Sequence, residues 1–202
     1  MTRAPVVVLA SGTGTLFQAL ITAGESVDYP AKIVGFVTDA PECGAQQRAR
    51  LAGLPVQAVS PKDFPDRTTW NVAIAAAVAG WQPTWVVCLG FMRILGPNFL
   101  QQFPNQIINT HPSLLPSFPG AHAVADAFDY GVQVSGCTVH VVDEGVDTGP
   151  ILAQTPVAVL ASDTSETLHE RIKTAERELI VGVVAQLARG GYEFDGRRAK
   201  ST

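Results

Sequence analysis

An amide and an imidazole two residues apart close the apolar run Ile107-Ile108-Asn109-Thr110-His111, and Pro112-Ser113-Leu114-Leu115-Pro116 follows at once. Alternate side chains of a strand share a face, so this spacing directs Asn109 and His111 together into whatever lies at the strand's end. An amide donor and a proton carrier facing one cleft are an arrangement for chemistry. The two prolines, each lacking an N–H and fixing its own φ, end the ladder and stiffen the loop beyond it. The competing reading is a strand edge whose Asn and His are each satisfied by backbone.

A carboxylate beside such an imidazole favours the protonated ring, fixes its orientation and moves its pKa toward the working pH. The candidate is Asp147, in the loop Asp143-Glu144-Gly145-Val146-Asp147-Thr148-Gly149-Pro150. Asp143 and Glu144 in the same loop make a solvated acidic turn the competing reading, and spacing alone does not bring Asp147 to His111.

Two further segments suit ligands. Ser11-Gly12-Thr13-Gly14-Thr15 lies between an apolar run and a helical pattern, where backbone N–H groups and the positive helix end can hold a phosphate. Phe17 occupies the place of a third glycine and no Gly-Lys-Ser/Thr follows, so a single phosphate fits better than a dinucleotide. The alternative is a tight turn in which glycine supplies φ > 0. Gly90-Phe91-Met92-Arg93-Ile94-Leu95 offers close backbone approach and an apolar slot suited to a conjugated heterocycle; an ordinary core segment leading into a helix is its alternative. Among the other histidines, His140 sits in a strand pattern and can face the cleft, while His169 reads as solvated on a helix; His122 has no assigned role. No HExxH or clustered ligand spacing occurs, so no metal is expected.

The elements that must carry these residues alternate. Apolar strands are expected at residues 5–10, 31–38, 55–59 and 85–89, with helices at 16–23, 43–52 and 66–81 between them. That alternation gives an α/β domain with a mainly parallel sheet, whose ligands gather at the carboxyl ends of the strands. The second half changes character: a helix at 120–131, β-rich runs at 134–142 and 151–159 that pair antiparallel at one sheet edge, and an amphipathic helix at 164–189 capped by Asp163 or Ser162 and ended by Gly190-Gly191. Residues 197–202 read as a frayed polar tail.

With 202 residues, 47% of them hydrophobic and 16% charged, one well-buried core is the simpler organisation. A formal net charge of −4 argues against broad nucleic-acid or membrane-surface binding. The opening Val/Leu run is too short to span a membrane and lacks the pattern of a cleaved signal, so a cytoplasmic protein is expected. Cys43, Cys88 and Cys137 are odd in number and widely spaced, which reads as buried thiols rather than a disulfide framework.

In this order, and over nearly the whole chain, the Ser-Gly-Thr-Gly turn with Gln18, Gly90 to Leu95, Asn109-Thr110-His111-Pro112-Ser113-Leu114-Leu115-Pro116, and Gly136-Cys137-Thr138-Val139-His140 through Asp147-Thr148-Gly149-Pro150-Ile151 resemble the folate-dependent formyltransferases, in particular their glycinamide ribonucleotide branch. The resemblance implies a single-domain, Rossmann-like α/β fold with an antiparallel edge strand in the C-terminal half. It implies transfer of a formyl group from 10-formyltetrahydrofolate, as cosubstrate, to the amine of 5′-phosphoribosylglycinamide in purine synthesis. It makes Asn109, His111 and Asp147 the catalytic residues. Gly14, Thr15 and Leu16 would bind the phosphate, with Arg67 adding charge, and Glu176 would contact the glycinamide portion. Phe91, Met92, Arg93, Ile94 and Leu95, Asn109, and Val142, Asp143, Glu144 and Asp147 of the loop 141–147 would hold the folate. Residues 1–110 would form the ribonucleotide half and 111–190 the catalytic and folate half. Two departures stand out: Leu16 replaces an Asn common in the family's phosphate turn, and Lys173 stands where a Gln is common, a cation that would compensate.

Chemistry agrees with these roles. An amine attacking a formyl carbon makes a tetrahedral oxyanion, which an Asn109 N–H and a protonated His111 can stabilise. Asp147 would keep His111 charged and help pass a proton from the amine to the leaving folate nitrogen. A tRNA-directed formyltransferase would carry a further basic C-terminal domain, and a formyltetrahydrofolate deformylase an N-terminal regulatory one; the short, acidic chain is expected to be neither. A sugar-nucleotide formyltransferase is disfavoured by the Ser-Gly-Thr-Gly turn, and a folate- or phosphate-binding protein without catalysis by the intact Asn, His and Asp. The partners expected are small molecules, with neither nucleic acid nor membrane, in a monomer or homodimer, the homodimer preferred.

Overall fold

The Val-rich opening run forms β1 (Ala4–Leu9), of which Val6, Val7, Val8 and Leu9 are fully buried. Apolar residues on both faces are what a strand covered on both sides requires. The computed structural model describes residues 2–201, and the chain divides into two compact units, with the boundary between Asn109 and Thr110.

The N-terminal unit alternates as expected: α1 (Thr15–Gly24), β2 (Ala31–Thr38), α2 (Gly44–Leu51), β3 (Val56–Ala58), α3 (Arg67–Ala79), β4 (Trp85–Cys88), α4 (Pro97–Gln102) and β5 (Ile107–His111). Its strands are parallel in the order β3-β2-β1-β4-β5. The register sets Leu9 beside Val37 and Cys88, and Cys88 beside Asn109. Ser11, Asp39 and Gly90 therefore leave their strands at one edge, where parallel sheets hold ligands. Phe17, the residue that breaks the dinucleotide pattern, is fully buried and stacks on Phe36 with ring centroids 4.9 Å apart. The close helix–strand approach that a third glycine would allow is filled by an aromatic pair.

The C-terminal unit contains α5 (Ala123–Tyr130), β6 (Val134–Val141), β7 (Ile151–Ala158), α6 (Ser165–Ala188), β8 (Tyr192–Asp195) and β9 (Arg198–Ser201), its strands ordered β6-β7-β9-β8. β6 and β7 pair antiparallel, as expected, through Val134–Ala158 to Cys137–Thr155 and beyond. The helix α6 presents Leu168 and Ile172 to Val124 of α5 and Cys137 of β6, all buried.

Four expectations change. The pair β6/β7 is not the sheet edge, because β9 runs parallel to β7 and β8 lies outside it. The frayed tail is instead strand β9 over Arg198–Ser201: Asp195 pairs with Arg198, and Gly196-Arg197, with Gly196 at φ +57°, turns the chain back in a two-residue hairpin. Thr202 lies outside the described residues. The helix expected from Gly120 starts at Ala123, since Gly120 has φ +93° and donates its N–H to Asp147 rather than to a helix. The cap of α6 is Thr164, which exchanges side-chain bonds with Thr167 in a capping box, while Asp163 takes the N–H of Leu160 and the guanidinium of Arg171. Among the described residues no helix is long and apolar enough to cross a membrane. Cys88 and Cys137 are buried as expected; Cys43, just before α2, is only partly so.

Candidate active site

The last strand residue of β5, His111, is buried, and Asp147 closes on it from a loop far along the chain. His111 Nδ1 lies 3.3 Å from Asp147 Oδ2. Its Nε2 lies 2.8 Å from the Phe118 carbonyl oxygen. A carbonyl only accepts, so Nε2 carries a hydrogen, and Nδ1 attracts the carboxylate when it carries one too. The two partners together fix the orientation of the ring.

A second imidazole flanks the same carboxylate. His140 of β6 is buried, places Nε2 3.5 Å from Asp147 Oδ1 and shares its Nδ1 with the Val141 carbonyl at 2.9 Å. Gly120 N–H donates to Asp147 Oδ2 at 2.8 Å. Burial pushes the Asp147 carboxyl up, but the hydrogen bonds from His140 and Gly120 and the charge on His111 and His140 outweigh it and hold the group below its ordinary 3.8. The sequence suggested that His140 faces the cleft; it did not reveal that His140 and Gly120 are partners of Asp147. The strand alternation that puts His140 and Thr138 on one face of β6 was the available signal.

Strain marks the same place. Asp147 (φ +53°) and Phe118 (φ +53°) are both non-glycine residues in the left-handed region, and both hold the His111 ring, one by its carboxylate and one by its carbonyl. The Asp147 loop holds this shape by internal bonds: Asp143 Oδ1 accepts from Gly145 N–H at 3.1 Å and from Thr148 Oγ1 at 2.6 Å. A Cβ at Gly149 would sit 1.8 Å from the Val141 carbonyl oxygen, so only glycine lets the loop leave β6 so closely. Of the expected folate residues here, Asp143 is thus occupied with the loop itself, Glu144 is exposed and Val142 partly buried. The segment after β5 is anchored by Thr138, whose Oγ1 donates to the Ser113 carbonyl at 2.7 Å and accepts Leu115 N–H at 3.1 Å.

On α6, Glu176 is buried, with 4% of its surface exposed, and accepts a hydrogen bond from Thr110. Burial pushes its carboxyl up to about 7, against smaller downward effects of Thr110, Lys173 and Arg177. Lys173 itself pairs with Glu170 at 2.8 Å. His169, read as solvated, is half-buried, and burial together with Lys173 lowers its pKa. Burial pushes the thiols of Cys88 and Cys137 up to about 12, which keeps both protonated at neutral pH and unsuited to nucleophilic work.

In the N-terminal unit, Gly14 caps α1 at φ +74° without any side-chain cap, leaving the first-turn N–H groups of Thr15 and Leu16 directed outward from the helix. A Cβ at Gly14 would lie 2.6 Å from Ala45 Cα, so the position needs glycine for both conformation and space. The cation brought to this turn is one the sequence reading missed: Arg48 Nε donates to the Thr13 carbonyl at 2.9 Å and Nη1 to Gln18 Oε1 at 3.1 Å. Arg67, expected at the phosphate, opens α3, faces the segment after β4 and donates one Nη2–H to the Ile94 carbonyl at 2.9 Å. In that segment Met92 and Ile94 are exposed, at 70% and 59%, and Leu95 is buried. Exposed apolar side chains flanking Arg93, with Phe91 before them, form a surface suited to a flat ligand. Asn109, the last residue of this unit, precedes His111 on β5 by one strand period.

Residues 4–184 match the formyl transferase family. The chain is 56% identical over 196 residues to phosphoribosylglycinamide formyltransferase of Mycobacterium tuberculosis, covering 97% of this chain and 90% of that one. It is 39% identical over 180 residues to the enzyme of the same name from Bacillus subtilis, covering 89% and 92%. The crystal structure of glycinamide ribonucleotide transformylase 1 from Symbiobacterium toebii superposes with a TM-score of 0.96 at 37% identity, covering 98% of this chain and 94% of that one.

Proposed function

Because the chain belongs to the formyl transferase family, we propose that it transfers the formyl group of 10-formyltetrahydrofolate to the amine of 5′-phosphoribosylglycinamide, a step of purine synthesis that yields formylglycinamide ribonucleotide and tetrahydrofolate. The observation that carries the reading is the ion pair of His111 and Asp147, 3.3 Å apart, on the very residues that the resemblance makes catalytic.

The amine nitrogen attacks the formyl carbon, a C–N bond forms and the carbonyl oxygen becomes an oxyanion. Asn109 N–H and the His111 N–H stabilise that charge. The His111 hydrogen available for this is the one on Nε2, which must pass from the Phe118 carbonyl to the formyl oxygen. Ser113 Oγ, which donates to the Ser117 carbonyl at 2.6 Å and lies 3.2 Å from the Phe118 oxygen, is the hydroxyl that can turn to replace the lost donor. Asp147 keeps His111 charged and, directly or through a water, carries a proton from the attacking nitrogen toward folate N10. The C–N10 bond then breaks and tetrahydrofolate leaves. His140 is assigned as a positioning residue that orients Asp147.

The phosphate of the ribonucleotide is assigned to the N–H groups of Thr15 and Leu16 at Gly14, with Arg48 as the neighbouring cation; Lys173 and Glu176 are assigned to the same substrate. The folate is assigned to Phe91, Met92, Arg93, Ile94, Leu95, Asn109 and the Val142–Asp147 loop, with Arg67 supporting Ile94. In this reading the chain is one functional domain with a ribonucleotide half and a catalytic half, acting in the cytoplasm as a monomer or homodimer, the homodimer preferred.

A spectroscopic assay of tetrahydrofolate formation from 10-formyltetrahydrofolate, run with and without the ribonucleotide, tests the proposal. Turnover that requires the ribonucleotide is the expected result. Product without it would make the chain a hydrolase, and binding of both ligands without product would leave a binding protein.

A further inference from the structure

Three neighbouring strands of the N-terminal unit are tied at their carboxyl ends by a closed ring of hydrogen bonds that the transfer chemistry does not use. Asp39, the residue after β2, is buried, with 5% of its surface exposed. Its Oδ1 accepts Ser11 Oγ–H at 2.5 Å and its Oδ2 accepts Arg93 Nε–H at 2.7 Å. Ser11 Oγ accepts Met92 N–H at 3.0 Å, and Ser11 N–H reaches the Gly90 carbonyl at 3.2 Å. Met92 and Arg93 are adjacent, so the path Asp39, Ser11, Met92, Arg93 returns to Asp39. Ser11 opens the glycine turn after β1 and Arg93 belongs to the segment after β4.

A carboxylate has acceptors only, and here each oxygen already holds a donor. Turning either partner away would leave a buried charge short of a hydrogen bond, so the ring has one favourable arrangement. Arg93 is held by Nε alone, and its side chain is 53% exposed, which leaves the outer edge of the guanidinium presented in a fixed direction. We infer that Asp39 is a positioning residue for the transfer: it fixes Arg93 directly, and the Gly90–Arg93 turn through Ser11, in the shape that receives the folate. The inference rests on the proposed assignment of this segment to folate. A purely stabilising ion pair would have the same geometry and a different kinetic signature.

The discriminating variant is Asp39→Asn. Asparagine keeps an oxygen for Ser11 but turns an NH₂ toward Arg93 Nε, setting donor against donor and releasing the guanidinium. Losing one preorganised, rotamer-rich side chain corresponds to about a tenfold rise in KM for 10-formyltetrahydrofolate. The KM for the ribonucleotide and kcat stay within about threefold, since neither His111 nor the phosphate turn loses a contact. In an Arg93→Gln background Asp39→Asn adds nothing further, as expected of a residue acting through another. Circular dichroism and the melting temperature report whether each variant is folded. An unchanged folate KM in folded Asp39→Asn, or a parallel rise in both KM values, would overturn the inference. Should Asp39→Asn fail to fold, Ser11→Ala decides, because it keeps the Asp39–Arg93 pair while removing the hydroxyl that links Asp39 Oδ1 to Met92 N–H: a raised folate KM supports the ring and an unchanged one refutes it. Wild-type protein without ribonucleotide-dependent turnover would instead refute the assigned reaction.

Discussion

Replacing Glu176 by glutamine should stabilise the protein in a pH-dependent way whose size follows from the burial of one carboxyl. In the unfolded chain the group ionises at its ordinary 4.5; in the folded protein it does so at about 7. Below pH 4.5 both states hold the proton and the carboxyl contributes no pH dependence. Between 4.5 and 7 the unfolded chain releases the proton while the folded one keeps it, so stability falls as pH rises. Above 7 both states are ionised and the loss is complete. The interval from 4.5 to 7 amounts to about 3 kcal/mol. The substituted amide is neutral throughout and can still accept from Thr110, so the variant escapes the loss. For a chain of this length that corresponds to a melting temperature higher by about 6–12 °C at pH 8, shrinking to nothing near pH 4. Thermal melts followed by circular dichroism at intervals from pH 4 to 8.5 read the difference directly, because every other titrating group is common to both proteins. Parallel wild-type and Glu176→Gln curves would refute the reasoning and place the ionised form of Glu176 in a better-solvated site than its 4% exposure indicates.

Asp147 has the opposite sign. Its folded pKa is depressed, so its stabilisation is present at neutral pH and fades as pH falls through the folded value; Asp147→Asn should melt below wild type at pH 7, with the gap closing under acid conditions. His111→Asn should lower kcat by about 10²–10⁴, the range for losing a general acid, with folate binding largely retained in a fluorescence titration. His140→Phe removes one of the imidazoles on Asp147 and should raise the carboxyl's pKa, visible by carbon NMR titration, while lowering kcat less than His111→Asn does. Gly14→Ala forces a Cβ within 2.6 Å of Ala45 Cα at φ +74°, which costs about 1–3 kcal/mol and should raise the ribonucleotide KM as the turn shifts; equal melting temperatures would refute the packing argument.

The parallel half of the fold was legible because its signals are local. Val6 to Leu9 and Trp85 to Cys88 are apolar on both faces, and glycine turns or helical patterns follow them, so elements and sheet class come directly from residue type. The hairpin of β8 and β9 was missed although Asp195-Gly196 is a turn signal, because the flanking residues are mostly polar and exposed and give no burial pattern. That Asn109 and His111 stand at alternate positions of β5 was legible from a spacing of two. The bond from Gly120 to Asp147 was not, since it depends on a φ of +93° that makes Gly120 a donor to a distant loop instead of the start of a helix. The contacts of Arg48 with the Thr13 turn and of Arg67 with the Ile94 carbonyl were not legible for a similar reason: which loop an arginine reaches is set by the packing of α2 and α3, and both carry the same charge in sequence.

The environment of Asp147 also explains why its loop is built as it is. One carboxylate facing two imidazoles can hold both in place, yet it balances only one full positive charge. The orientation of the carboxyl therefore decides how the two rings share it. For that sharing to favour His111, the carboxylate must be prevented from turning fully toward His140. The Gly120 N–H does this, because it binds Oδ2, the same oxygen that faces His111 Nδ1, and fixes the plane of the carboxyl. The left-handed conformation of Asp147, the closure of its loop by Asp143 and the close exit that Gly149 permits are then requirements of one geometry: a carboxylate delivered to His111 by a loop, but held as rigidly as one delivered by a strand.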